Sequence, residues 1–493
     1  MLFYSFSFIA FFLPVVLAGF FALHKNAGHT AAKLFLFLAS LFFYGYWNPI
    51  YLPLLLGSII FNYFISEYIK SSKSRPFLWF GVIANFTLLG FFKYMDFFIE
   101  NLNMAIGSDW SLLRIALPLG ISFFTFQQVA YLVDSYKSKT GKDSFLDYGL
   151  FVSFFPQLIA GPIVHWREMM PQFDDPKQGN FRAYTFLTGV NIFALGFMKK
   201  VLIADNLAFV TNKIFSEGHN LDLVSSWLGG ICFTLQIYFD FSAYSEMAIG
   251  AALMMNIKLP LNFNSPYKAR NINDFWNRWH ITLTRWFFQY TFLPLAAIWA
   301  KGGALSLNVL IATTMIIFTL SGLWHGAQWT FVLWGAMHGL ALVAYRIWQA
   351  NNWSMPKIAA HSITLLFLIV AAIVFRAPTI EFFGDYAYAM VGGMGVYNPD
   401  NYISPYISVL YVLFFLLFYI VLKAPNVFEI VGYQHIKPDE GRAPVFPLFD
   451  VKTAFLRMET NIVISVTYGI AFGFTLLHVL QRDTIGAFIY FDF

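Results

Sequence analysis

The chain has 493 residues, 58% of them hydrophobic and 12% charged, and a mean hydropathy of +0.62, far from the averages of soluble domains. A net charge of +5 with no long basic block interleaved with aromatics gives no support to nucleic-acid binding, and the one cysteine, Cys232, excludes an internal disulfide and leaves no thiolate cluster for a structural metal. What remains is an all-α polytopic membrane protein.

Met1-Leu2-Phe3-Tyr4-Ser5-Phe6 lacks the basic head of a signal peptide and leads straight into an apolar stretch, so the first span is expected to be retained. Apolar runs of spanning length fall near residues 5–23, 31–47, 50–69, 76–98, 112–133, 186–213, 225–255, 303–323, 328–348, 361–377, 403–423 and 460–480, and about eleven transmembrane helices are expected from them. Lys25 and Lys33, then Lys70, Lys73 and Arg75, then Lys137, Lys139 and Lys142 fall on one side of the early spans. The alternate connections at Asn48-Pro49 and from Glu100 to Ser111 carry no Lys or Arg, so the positive-inside rule places the N-terminus outside.

Residues 148–165 are apolar but interrupted by Pro156, Gly161 and Pro162. Irregular backbone at membrane depth survives only inside protein or beside a water-filled cavity, so a re-entrant segment that could line a site is expected. From Pro260 to Trp299, aromatics mix with Lys268, Arg270, Asp274, Arg278, His280 and Arg285. The spacing of Phe275, Trp276, Trp279 and Leu283 predicts an amphipathic helix at the membrane surface. Asn426 to Lys452, with Pro438, Pro444 and Pro447, reads as an extramembrane loop. No composition shift or internal repeat divides the chain, which is expected to form a single membrane-embedded domain over residues 1–493.

His325 is the most telling residue, because no Asp, Glu, Lys or Arg occurs between Lys301 and Arg346. An ionisable group in such a stretch is costly to bury and is a functional candidate by default. It has two readings: a histidine hydrogen-bonded between packed helices, with Gly322 and Gly326 permitting close contact, or a neutral imidazole acting as general base on an attacking hydroxyl. His280 is structural or interfacial on its own residues. Lys268, Arg270, Arg278 and Arg285, with Trp279 among them, form a basic aromatic surface suited either to a phosphate-bearing donor or to anionic lipid headgroups. Asp240, inside an apolar run, is expected to pair with a basic residue, with catalysis the minor alternative. His338 is expected to be packing on the span after His325. No Walker loop, dinucleotide glycine fingerprint, HExxH or Gly-x-Ser-x-Gly elbow is present, so the chemistry is expected to rest on histidine with no metal and no permanently bound cofactor.

Phe154 to Ile163, Gln236 to Glu246, Asn262 to Thr284 and Gly322-Leu323-Trp324-His325-Gly326 together resemble the membrane-bound O-acyltransferase family, its bacterial alginate O-acetyltransferase-like branch above all. Ser40-Leu41-Phe42-Phe43-Tyr44-Gly45-Tyr46-Trp47 and the closing Phe488-Ile489-Tyr490-Phe491-Asp492-Phe493 extend the likeness over almost the whole chain. The resemblance implies a helical bundle around a central funnel, with an acyl donor arriving from the cytoplasm and an acceptor from the outer side. By position, His325 matches the family's catalytic histidine and His280 its second histidine. Where the branch has an Arg-Asp-Tyr triplet this chain has Phe288-Gln289-Tyr290, which points to a subgroup other than the alginate enzyme itself.

The expected function is therefore an inner-membrane O-acyltransferase that moves acetyl from cytoplasmic acetyl-CoA for O-acetylation of an exported or cell-wall polysaccharide. His325 and His280 would be catalytic, Lys268, Arg270, Arg278, Trp279 and Arg285 would bind the donor, and a periplasmic acetyltransferase could be the partner. Acyl-carrier-protein-dependent D-alanyl transfer and a transporter or channel using His325 and Asp240 are the alternatives.

Overall fold

The computed structural model describes residues 1–216, 221–300, 303, 306–397, 407–433 and 462–481. Their regular structure is helical throughout. Among the described residues, seven helices are long and apolar enough to cross a membrane: Phe8–Ala27, Pro49–Ser72, Arg75–Ile106, Ala183–Ser216, Leu307–His325, Trp329–Ala350 and Lys357–Arg376. Shorter apolar helices occupy His29–Gly45, Val412–Lys423 and Tyr468–Leu480. Helices meet the demand that backbone polar groups be satisfied within a hydrocarbon layer, and large side chains such as Phe11, Phe64 and Ile83 point outward from them. The protein is a multi-pass α-helical membrane protein. The expected loop from Asn426 is described only as far as Tyr433, so Pro438, Pro444 and Pro447, like the closing run from Phe488, lie outside the described residues.

The chain divides into two compact units. The first comprises Met1–Met198, Ala243–Leu261 and Val427–Asp483. Its centre is a cluster of rings in which Phe155 meets Phe12 at 5.2 Å and Phe43 at 5.5 Å, while Phe3 stacks on Tyr244 at 4.9 Å. The expected re-entrant stretch is an interrupted one. Helix Phe145–Ser153 stops at Phe154, the short helix Phe155–Leu158 follows with Pro156 in its first turn, and residues 148–164 are buried. Protein, not lipid, therefore surrounds its irregular backbone.

The early connections sort by end as the charge pattern requires. Lys33 pairs with Asp147, Lys70 Nζ lies 3.4 Å from Asp143 Oδ2, and Lys73 Nζ donates to the Ser135 carbonyl, gathering three Lys-bearing connections. The Lys-poor connections meet separately, where the Tyr51 hydroxyl donates to the Ala116 carbonyl.

One expected span is shorter than its hydropathy suggests. Helix Arg75–Ile106 ends at Gly107 (φ +66°), and residues 107–120 run without helix before Ile121–Tyr136 begins. Asp96 accepts the amides of Leu113 and Arg114 at 2.7 and 3.0 Å, giving that irregular backbone its partners. Gly120 (φ +71°) sets the turn into Ile121–Tyr136, and a Cβ there would lie 2.7 Å from the Leu158 carbonyl oxygen, so only glycine fits. Of this 16-residue helix, all but Val133 and Tyr136 are buried, which makes it an internal element and not a lipid-facing one.

Among the described residues, the second unit comprises Lys199–Ser242 and Asn262–Asn426. The 32-residue helix Leu223–Met254 supplies its Leu223–Ser242 part, with Gln236 and Asp240 buried along it. Asp240 is paired, as expected: Lys200 Nζ lies 2.8 Å from Asp240 Oδ1 and 2.9 Å from Asp205 Oδ1, all three side chains being 2–3% exposed. Lys200 reaches both carboxylates from a π-helical turn, Lys199–Ala204, that widens the helix locally.

Helices Leu307–His325 and Trp329–Ala350 form a tight hairpin. A Cβ on Gly322 would collide with the Phe331 carbonyl oxygen and come within 3.1 Å of Gly335 Cα, so the two backbones touch where neither carries a side chain.

The stretch from Pro260 corrects the expectation of one surface helix. Two short helices form, Ile272–Trp276 and Ile281–Phe287, separated by a turn in which His280 is left-handed (φ 44°, ψ 49°). Phe275, Trp276, Trp279 and Leu283 are buried, not laid on a membrane surface. Asn262 decides this geometry: its carbonyl accepts the Ile281 amide at 3.0 Å and its side-chain oxygen accepts the Thr282 hydroxyl at 2.9 Å. Asn264 N donates to the Arg278 carbonyl at 2.9 Å, so residues 262–264 hold the turn open against the cost of a left-handed non-glycine residue.

Candidate active site

His325 is the last residue of Leu307–His325, and the chain turns at once through the extended Gly326 into the next helix. Ending a buried helix on an imidazole puts a polar ring at the turn of the hairpin. The ring is 5% exposed and walled by Trp324 at 5.0 Å, Trp334 at 5.1 Å and Phe375 at 5.3 Å, all in edge-on contact.

His280, at the left-handed turn, comes to 6.5 Å from His325 ring to ring, with Trp324 also beside it at 6.1 Å. Phe241 packs edge-on against it at 4.8 Å. Two histidines singled out on separate sequence segments thus share one wall of aromatics. Burial pushes the His280 imidazole down to about 3, so the ring is neutral at physiological pH.

His325 opens on a small cavity of about 40 Å³ whose wall is formed by Thr234, Ile237, Tyr267, Phe275, Trp279, His325, Trp334, His338, Leu368, Ala371, Ala372 and Phe375. The wall is mostly aromatic and aliphatic, with few polar atoms, the ordinary composition of a small-molecule site. At roughly 10–15 Å³ per water centre the space holds about three waters. A larger hollow of about 770 Å³, lined by Glu100, Asn103, Met104, Asp109, Trp110, Ser111, Leu112 and Arg114, contains no histidine and lies on the irregular 107–120 connection.

The proposed donor-binding residues are placed unevenly. Trp279 is on the cavity wall. Arg278 Nε is held at 2.8 Å by Asp274 and its terminal nitrogen donates to the Asn264 carbonyl, while Lys268 Nζ donates to the Ala424 carbonyl at 2.8 Å. Arg270 is exposed and Arg285 half-buried. Part of the expected cationic surface is thus engaged in holding the 262–280 turn. Asp240 is engaged by Lys200 and is not on the cavity wall.

His338, expected to be packing on the span after His325, is also on that wall. Its ring lies 4.6 Å from Trp334 and 5.1 Å from Trp276. The sequence carried one signal for it, a second ionisable group in the same charge-free stretch. Thr234, Tyr267 and Phe375 could be found only from the packing.

A profile described as "MBOAT, membrane-bound O-acyltransferase family" matches residues 109–377, which hold His280, His325 and the whole cavity wall. The chain is similar to the peptidoglycan O-acetyltransferase of Helicobacter pylori, at 44% identity over 423 residues covering 79% of each chain. It is 36% identical over 397 residues to the "Probable alginate O-acetylase AlgI" of Pseudomonas aeruginosa, covering 77% of this chain and 73% of that one. Similarity to the teichoic acid D-alanyltransferase of Bacillus subtilis is lower, 29% over 265 residues, covering 51% of this chain and 65% of that one. With its helices, its buried histidine pair and these matches, the chain belongs to the membrane-bound O-acyltransferase family and is an O-acyltransferase.

Proposed function

We propose that the protein is an inner-membrane O-acetyltransferase that takes acetyl from cytoplasmic acetyl-CoA and delivers it to a hydroxyl of a cell-envelope polysaccharide outside. The hydroxyl is on the polymer itself or on a periplasmic acetyltransferase partner. The observation that carries this reading is the buried pair His325 and His280, 6.5 Å apart ring to ring, with His325 on the wall of a small, mostly aromatic cavity. The acetyl transfer named for two relatives of substantial coverage supports it, whereas the D-alanyl relative aligns with only about half of this chain.

In this mechanism His325, as neutral imidazole, accepts the proton of the acceptor hydroxyl while the oxygen attacks the thioester carbonyl carbon. The tetrahedral intermediate collapses with cleavage of the C–S bond, and the CoA thiolate leaves and takes up the proton from His325. The products are an acetyl ester and free CoA. His280, kept neutral by burial, acts on the donor side, and Trp279 presents a flat surface to the arriving thioester. The aromatic wall excludes bulk water, which limits hydrolysis of the thioester and strengthens every polar contact within.

Purified protein in nanodiscs should consume acetyl-CoA in the presence of an acceptor sugar, and His325→Ala should lower that turnover by roughly the 10²–10⁴-fold supplied by a general base. Wild-type turnover in His325→Ala would remove the base assignment. Proton-driven flux of an ion through the wild type without any acyl transfer would instead support the transporter reading.

A further inference from the structure

We propose that His338 is a catalytic residue of the same cavity, donating a hydrogen bond to the thioester carbonyl oxygen as it becomes an oxyanion; the inference rests on the acyl-transfer reading above. His338 is 2% exposed and lines the cavity with His325. Its Nδ1 is buried and has no hydrogen-bond partner among the described residues. Its other surroundings are rings: Trp334 at 4.6 Å, Phe367 at 5.0 Å, Trp276 at 5.1 Å and Phe275 at 6.4 Å.

An imidazole that served packing alone would be better replaced by a phenyl ring, which leaves no buried nitrogen unsatisfied. Thr234, the other small polar side chain on this wall, has its hydroxyl committed to the Gly230 carbonyl and its own carbonyl committed to the Tyr267 hydroxyl. His338 therefore offers the cavity a polar group that no neighbour takes up. An unpaired buried nitrogen is tolerated best as a bare acceptor, which puts the ring proton on Nε2 and makes that atom the donor for a ligand.

Both histidines line the cavity and both contact the Trp334 ring, His325 at 5.1 Å and His338 at 4.6 Å. Acyl transfer needs such an arrangement. The base must be about 3 Å from the attacking oxygen, and the oxyanion donor about 3 Å from the carbonyl oxygen on the far side of the reacting carbon. The negative charge formed when the thioester carbonyl accepts the oxygen's electron pair is then met by the His338 N–H, and it returns to the carbonyl as the C–S bond breaks. His338 gains and loses no proton overall.

The test compares His338→Met, which keeps bulk but has no donor, with His338→Gln, whose amide nitrogen reaches the place of Nε2. His338→Met should lower kcat for acetyl-CoA by about 10²–10³-fold with KM and thermal stability near wild type, the loss seen when one oxyanion donor is removed. His338→Gln should recover at least tenfold of it, and His338→Asn, which mimics Nδ1, should not. Wild-type kcat in His338→Met overturns the proposal, as does equal recovery by Asn and Gln. If His338→Met unfolds, the Gln–Asn comparison still decides. Loss of turnover in His325→Ala alongside a neutral His338→Met sinks this inference while leaving the acyltransferase reading intact.

Discussion

Gly322→Ala tests whether the hairpin contact positions the His325 ring, the base of the proposed mechanism. The added methyl would collide with the Phe331 carbonyl oxygen and lie 3.1 Å from Gly335 Cα, both backbone atoms that cannot rotate away. The two helices must separate by a distance on the order of 1 Å, and overpacking of this kind costs about 1–3 kcal/mol. Alanine returns up to about 1 kcal/mol through helix propensity. Gly90, inside Arg75–Ile106 with nothing within 4 Å of the place an added methyl would take, isolates that second effect. Gly90→Ala should therefore be neutral or stabilised by up to about 1 kcal/mol, and Gly322→Ala should fall about 1–3 kcal/mol below it. Because His325 lies less than one helical turn beyond Gly322, the separation also moves the imidazole, and a displacement of about 1 Å costs roughly 10²-fold in rate. Thermal unfolding followed by tryptophan fluorescence in nanodiscs reads the first effect, and acetyl-CoA consumption the second. A Gly322→Ala protein as stable as Gly90→Ala, with wild-type turnover, would refute the assignment of the hairpin as the positioning device.

The buried Lys200 cluster and the pH response of His280 give two further expectations. Lys200→Met leaves Asp205 and Asp240 facing each other without their cation, which should cost about 3–5 kcal/mol, and adding Asp205→Asn with Asp240→Asn should restore most of it; Lys200→Met unfolding at the wild-type temperature would show that the cluster contributes nothing. His280 binds fewer protons folded than unfolded, because burial lowers it from 6.5 to about 3; the stability it confers is complete above pH 6.5 and is lost as pH falls toward 3, amounting to about 2 kcal/mol by pH 5. His280→Gln should flatten that acid limb in thermal unfolding from pH 7 to 5, and an unchanged limb would place the sensitivity elsewhere.

How far the sequence was legible follows from the range over which each feature is determined. The membrane class and most helices were readable because hydropathy acts over a single segment, and His325 stood out because a charge-free stretch makes one imidazole conspicuous. Residues 112–133 misled because an apolar run does not report whether it is continuous helix; the Asp96 carboxylate and the close approach of Gly120 to Leu158, both distant in sequence, decided otherwise. The 275–283 periodicity failed for the same reason. A helical face was present in the spacing, but Asn262 captures Ile281 and Thr282 and imposes a left-handed turn at His280 that no local pattern requires. Asp240 could be given a basic partner by electrostatics but not the identity of Lys200, which reaches it only from a π-helical turn.

The cavity is the least legible part, and the reason bears on how the site works. Its wall is built from side chains on five segments of the second unit, and their register across the hairpin is set where Gly322 meets Gly335, a contact that depends on both helices at once. Glycine at that contact carries no chemistry, yet it lets Trp334 of one helix come within 5.1 Å of His325 of the other, ring to ring. A bulkier interface would preserve the motif around His325 while separating it from its wall. On the proposed mechanism the histidine alone is not enough: the close backbone approach a turn away seats it against its wall, and two proteins with the same histidine motif are expected to differ in rate through these glycines alone.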